Sequence, residues 1–182
     1  MKQMLKLGVV LMAYTAIACV GLAFVNNLTA PAIAANEKAE LNQGLKMVFA
    51  SAESFDEAKD FESKTVDGIT LENLYIAKAQ NNKIGCIVKA SGATYDKATM
   101  LIGIDKENKI TSIQFLALSD TPGFGQKAKE PTFADQFKGK AVTDAFEVKA
   151  DVNAISGATI TSVGVAKIIK VATKAASEYL AK

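Results

Sequence analysis

The sequence predicts an α+β chain, an N-terminal transmembrane helix followed by one domain with an antiparallel sheet and flanking helices, and three observations carry that prediction. Residues 7–25 form an uncharged apolar run. Residues 69–118 break into short β-type runs separated by turn signals. The C-terminal segment repeats apolar residues at i, i+3, i+4 and i+7, the signature of a helix with one buried face.

The run at 7–25 reads LGVVLMAYTAIACVGLAFV. At about 1.5 Å per residue, a helix of that length matches a bilayer core. Lys2 and Lys6 precede it and the next basic residue is Lys38, so the positive-inside bias places the N-terminus in the cytoplasm and the rest outside. Three other readings stand beside the span. Ala32-Ile33-Ala34 fits a signal-peptide cleavage pattern, although the apolar run exceeds the usual h-region. A lipoprotein would use Cys19, but the apolar run continues past that cysteine. A buried core helix fits the clean flanking charges less well than a span.

Ala30-Pro31-Ala32 predicts a break in the helix, because proline restricts the residue before it and has no N–H to donate. A second helix is expected over 35–49, with Leu41, Leu45, Val48 and Phe49 on one face. The chain thus divides into residues 1–27, the cytoplasmic N-terminus and span; 28–50, a connecting helix; and 51–182, the external domain.

Within that domain, strands are predicted at 69–77, 83–89, 99–104 and 109–118, with turns at Asn81-Asn82, Ser91-Gly92 and residues 105–108. Together they form a meander. Ile104, Ile110, Ile113 and Phe115 supply the bulk expected of a sheet with one buried face. A further strand is expected at 146–150. In the final helix Val165, Ile168, Ile169, Ala172, Ala176, Tyr179 and Leu180 make the apolar stripe, and Lys167, Lys170 and Lys174 fall largely off it.

Composition excludes several chemistries. The formal net charge is +2, with lysines scattered among acids, so nothing favours nucleic acid as a partner. There is no histidine, which removes Ser-His-Asp and Cys-His units and imidazole metal sites. Two cysteines are too few for an all-cysteine metal or cluster site, and Cys86, within Ile84-Gly85-Cys86-Ile87-Val88, reads as a packing residue. A redox role therefore needs an organic cofactor.

One tetrapeptide, Ser-Gly-Ala-Thr, occurs twice. The second copy, in Ser156-Gly157-Ala158-Thr159-Ile160-Thr161-Ser162, runs into the C-terminal helix, with Thr161 or Ser162 as the expected N-cap. A phosphate on the Thr159 hydroxyl would meet the free N–H groups and positive dipole end of that helix, and Gly157 would let the backbone approach. From these residues alone, a phosphate site and an ordinary capped helix start both stay open. The first copy, Ser91-Gly92-Ala93-Thr94, precedes Tyr95-Asp96-Lys97 and is expected to be a hairpin turn with no helix start near it.

The second copy resembles the flavinylation motif of the FMN-binding subunits of the Rnf and Nqr respiratory complexes, the G subunit of Rnf and the C subunit of Nqr. Thr121-Pro122-Gly123-Phe124-Gly125 resembles that family's Glu-Thr-Pro-Gly-Leu-Gly loop, and Leu28-Thr29-Ala30-Pro31 its usual entry to the external domain. The match runs in order along nearly the whole chain. It implies an FMN-binding domain, with FMN on Thr159 through a phosphoester made from FAD by a separate flavin transferase. It further implies a site of Ser156, Gly157, Ala158, Thr159, Thr161 and Ser162, with Thr121, Gly123, Phe124 and Gly125 against the flavin. For Lys127, contact with the flavin and simple solvation are both open readings; for Phe124, stacking on the ring and loop packing are.

Three positions depart from the family pattern. Asp120 stands where glutamate is usual, Phe124 replaces leucine, and Asn153 stands where an aspartate usually precedes the motif, with Asp151 two residues earlier.

The resulting expectation is a single-pass inner-membrane protein with its main domain extracytoplasmic. It would be an electron-transfer subunit of an ion-translocating oxidoreductase complex, working with the other subunits and not catalytic alone. The short chain favours Rnf over Nqr. The alternatives are a membrane-anchored binding or assembly protein without cofactor, and a flavin carrier outside Rnf and Nqr.

Overall fold

A single helix, α1 (Lys2–Val48), opens the chain, and it passes through Pro31 where the sequence predicts a break. The computed structural model describes residues 2–80 and 82–181. One proline costs a helix interior about 3 kcal/mol, and here good helix formers outvote it on both sides: Ala30, Ala32, Ala34, Ala35, Glu37, Lys38, Ala39 and Glu40. The Thr29 hydroxyl also donates to the carbonyls of Val25 and Asn26, next to the hydrogen bond that Pro31 cannot make. From Lys2 to Glu40 the side chains are exposed, apolar ones included. A helix apolar all round suits lipid, and this one is long and apolar enough to cross a membrane.

The chain divides into two compact units, Met1–Glu40 and Leu41–Lys182. The second is built on an all-antiparallel six-stranded sheet. Its strands are β1 (Ser54–Glu57), β2 (Lys64–Val66), β3 (Ile69–Ala79), β4 (Asn82–Ala93), β5 (Lys97–Asp105) and β6 (Ile110–Leu118). Their order is β1-β3-β4-β5-β6, with β2 pairing the other end of β3. The predicted meander is β3 to β6. The short edge strands β1 and β2 carry no periodic apolar signal and were not predicted; they are set by the 11-residue length of β3, which pairs with both.

Two corrections concern the sheet. Ser91-Gly92 is not a turn: β4 runs to Ala93, and the reversal falls at residues 94–96. Asn81, half of another predicted turn, lies outside the described residues, and Asn82 is the first residue of β4. Nor is only one face buried. Cys86, Val88, Ala90, Met100, Ile102 and Ile104 form one core with the C-terminal helix, α3 (Thr159–Leu180), while Ile87, Leu101, Tyr75 and Ala77 form a second with Leu45, Val48 and Phe49. The unbroken apolar run Met100-Leu101-Ile102 is what a strand covered on both faces requires. On the first face, burial pushes the Cys86 thiol up to about 12, so it stays protonated and packs as an apolar residue.

The predicted strand at 146–150 is also absent. Phe146 and Lys149 have φ of 49° and 74°, which a strand does not accept, and only the pair Val148 and Val152 forms a bridge. Asp151 accounts for the turn. Its carboxylate accepts the N–H groups of Phe146 (3.1 Å) and Glu147 (2.7 Å) and pairs with Lys140 at 3.1 Å. Burial pushes this carboxyl up, but those hydrogen bonds and the lysine outweigh it and hold the group below the usual carboxylate range.

Candidate functional site

The loop after β6 brings Asp120 back beneath the β4–β5 turn. Asp120 is 1% exposed and has no cationic partner among the described residues; its carboxylate is met by four donors instead. Oδ1 accepts the Thr94 hydroxyl at 2.6 Å and the Asp96 N–H at 2.9 Å. Oδ2 accepts the Thr161 hydroxyl at 2.5 Å and the Tyr95 N–H at 3.2 Å. Burial alone would raise the Asp120 pKa, but the hydrogen bonds from Thr161, Thr94, Asp96 and Tyr95 outweigh it and lower the pKa. One buried anion thus ties the β4–β5 turn to the first turn of α3.

The helix start differs from the expected cap. The N-cap is Ala158, without a side-chain cap, and the helix begins at Thr159. Thr161 is turned inward to Asp120 and Ser162 is buried, its hydroxyl donating to the Ala158 carbonyl and accepting the Ile155 N–H, each at 3.0 Å. These two side chains lock the approach to the helix from below. The Ala158 N–H is bonded to Ile155, whereas those of Thr159, Ile160 and Thr161 find no acceptor among the described residues. Three free N–H groups at the positive end of a 22-residue helix form an anion-accepting start. Thr159, at the first helical position, is exposed beside them.

Thr159 opens onto a groove of about 440 Å³, lined by Tyr95, Thr121, Phe124, Gly125, Gly157, Ala158, Thr159, Ile160 and Thr161. That volume falls in the range of small-molecule sites. Gly157 takes φ 78° in the turn before the helix, and a Cβ there would lie 3.3 Å from the Phe124 ring. Gly125 is buried against Asp120 and Thr161. Of the residues expected at the site, Ser156, Gly123 and Lys127 are exposed but do not line the groove, and Ser162 lies buried beneath it. Asn153, exposed, is held through its backbone by Gln136, at 2.8 Å and 3.2 Å. Tyr95 and Ile160 line the groove without having been expected there.

The first Ser-Gly-Ala-Thr copy does not stand apart from a helix start, as the sequence led us to expect. The first turns of α3 pack directly on it: a Cβ at Gly164 would lie 2.6 Å from the Ala93 carbonyl and 2.7 Å from the Thr94 Cα. Contact between residues so far apart in sequence leaves no local signal. Thr94 itself is 8% exposed and its hydroxyl is engaged by Asp120.

An antiparallel sheet backed by a helix whose first turn accepts an anion beside an apolar groove has the character of a nucleotide-cofactor domain. Residues 94–174 match the family model described as FMN-binding domain, and residues 1–48 match that of the RnfG N-terminal region. The chain is 32% identical over 185 residues to the G subunit of the Na(+)-translocating ferredoxin:NAD(+) oxidoreductase complex of Acetobacterium woodii, covering 88% of this chain and 86% of that one. It is 27% identical over 165 residues to the G subunit of the proton-translocating ferredoxin:NAD(+) oxidoreductase complex of Clostridium ljungdahlii, covering 87% and 83%. Its fold matches the crystal structure of Shewanella oneidensis NqrC with a TM-score of 0.62 at 17% identity, over 81% of this chain and 99% of that one. The chain belongs to the Rnf G/Nqr C family.

Proposed function

We propose that this protein is the electron-carrying G-type component of a membrane-bound, ion-translocating oxidoreductase complex of the Rnf kind, with FMN joined to Thr159 through a phosphoester. The observation that carries the reading is the placement of Thr159, an exposed hydroxyl at the first position of α3, beside three N–H groups without acceptors among the described residues and on the rim of an apolar groove. The match of residues 1–48 to the RnfG N-terminal region and the two Rnf-type relatives support Rnf over Nqr.

The residues present fit such a group. Thr159 Oγ1 would supply the ester oxygen, its proton lost as the bond to the flavin-side phosphorus of FAD formed and AMP left. The N–H groups of Thr159, Ile160 and Thr161, with the helix dipole, would hold the ester phosphate and offset its charge. Phe124 and Ile160 give the groove apolar walls that exclude water. When bound, FMN supplies reversible electron transfer, and the chain supplies position and the surroundings that set the potential. The N-terminal apolar helix keeps the protein in the membrane with its partner subunits, the N-terminus cytoplasmic and the main domain outside.

Expression of the full chain with and without a flavin transferase tests this, read as fluorescence of the denatured band and as intact mass. Wild-type protein gains one FMN only with the transferase, Thr94→Val still gains it, and Thr159→Val does not. Labelling of Thr159→Val, or none in wild type under any condition, overturns the assignment.

A further inference from the structure

Resting on the flavin reading above, we infer that Tyr95 is a wall of the isoalloxazine site, its phenol ring in contact with the flavin and controlling its electronic environment. Among the described residues after α1, few large apolar side chains are exposed, and three of them gather at one place: Tyr95 at 68%, Ile160 at 62% and Phe124 at 55% all line the groove beside Thr159. Aromatic and branched side chains left open around a concavity mark a surface that something apolar covers.

Each of the three comes from a separate segment. Phe124 stands on the loop after β6, Ile160 on the first turn of α3, and Tyr95 on the β4–β5 turn. An exposed tyrosine on a hairpin tip would ordinarily sample solvent, but this tip is anchored. The Tyr95 N–H and both neighbouring residues bond to the buried Asp120 carboxylate, which also holds Thr161 two residues past Thr159. The base of the Tyr95 side chain and the attachment hydroxyl are therefore held by one rigid group. A planar heterocycle tethered at Thr159 and lying in the groove meets this ring, by stacking or edge contact.

The composition gives this assignment an unusually clean readout. A tyrosine or tryptophan in van der Waals contact quenches flavin emission by donating an electron to the excited ring and taking it back in the same cycle, with no net change. Phenylalanine is too hard to oxidise to do so. The chain has no tryptophan and four tyrosines. Tyr75 is buried in the second core, Tyr179 bonds to Asp60 near the end of α3, and Tyr14 lies in α1; none of these lines the groove.

The test uses full-length protein flavinylated by a transferase, with loading first set by intact mass. The ratio of native to denatured flavin emission is then compared among wild type, Tyr95→Phe and Tyr14→Phe. Tyr95→Phe keeps the ring and the anchored backbone, so its melting temperature should match that of wild type. The expected result is a several-fold rise in the native ratio for Tyr95→Phe and none for Tyr14→Phe. Equal ratios in wild type and Tyr95→Phe at equal loading, or a rise confined to Tyr14→Phe, overturn the Tyr95 assignment while leaving attachment at Thr159 intact. No FMN mass on wild type removes both.

Discussion

The two copies of Ser-Gly-Ala-Thr share four residues and end in opposite environments. Residues 91–93 finish β4, Gly92 lies against Ile69 and Ile168, and Thr94 is buried with its hydroxyl committed to Asp120. In the second copy Gly157 makes a turn at positive φ, Ala158 caps the helix, and Thr159 is exposed with no hydrogen-bond partner for its hydroxyl among the described residues. The letters after each copy decide the difference. Tyr95-Asp96-Lys97 turns the chain back into β5, whereas Ile160-Thr161-Ser162 feeds 22 residues of helix. What the tetrapeptide becomes is thus set by the local sequence plus the element that receives it.

The two copies differ most sharply at the hydroxyls themselves. Thr159→Val should abolish covalent flavin while changing stability by no more than about 0.5 kcal/mol, as expected of an exposed side chain; mass and urea titration of the full chain in detergent check both. Next comes the anion between the copies. Asp120→Ala strands two hydroxyls and two backbone N–H groups, and a loss of about 3 kcal/mol or more is expected from several buried groups left unpaired at once. Gly164→Ala follows. The helix gains about 1 kcal/mol in propensity, but the backbone of Ala93 and Thr94 cannot retreat without moving the turn, so overpacking of about 1–3 kcal/mol should win. Unchanged or raised stability in that variant would mean that the close packing of α3 on the first copy is wrong. Thr94→Val should cost about 1–2 kcal/mol, because it removes only one of the four donors to Asp120.

The smallest effect is on the acid limb of stability. The Asp120 pKa is lowered from its ordinary 3.8, so the folded state favours the ionised group. Its contribution is complete above that ordinary value and is lost as pH falls through the lower folded one. Asp120→Asn should therefore flatten stability against pH below about 4, where wild type declines. An identical acid limb in both proteins would show that the carboxylate is not held as an anion.

Much of this architecture was legible in the sequence because it rests on periodic signals. The strands β3 to β6 and the stripe of α3 repeat apolar residues at the spacing of their element, and the N-terminal helix shows as an unbroken uncharged run. What escaped detection depends on contacts distant in sequence. Asp120 reads as a loop acid beside Thr121-Pro122-Gly123, and nothing local says that it receives donors from 94–96 and 161 together. Tyr95 looked like a polar turn residue because only the fold brings the β4–β5 turn to the groove. Pro31 is a false stop signal, because the helix formers around it outweigh a single residue's bias. The strand expected at 146–150 failed through Asp151, which captures two backbone N–H groups that a strand would have paired with a neighbour.

The burial of Thr94 bears on when the proposed flavin attachment could take place. On a chain not yet folded, the two tetrapeptides would compete as equals for any enzyme that reads those four residues. Once β4 has paired with β5 and Asp120 has closed over the turn, Thr159 is the one threonine of the two copies left within reach. Fidelity can then come from timing: a modification made after folding lands on one threonine without the enzyme having to tell the copies apart.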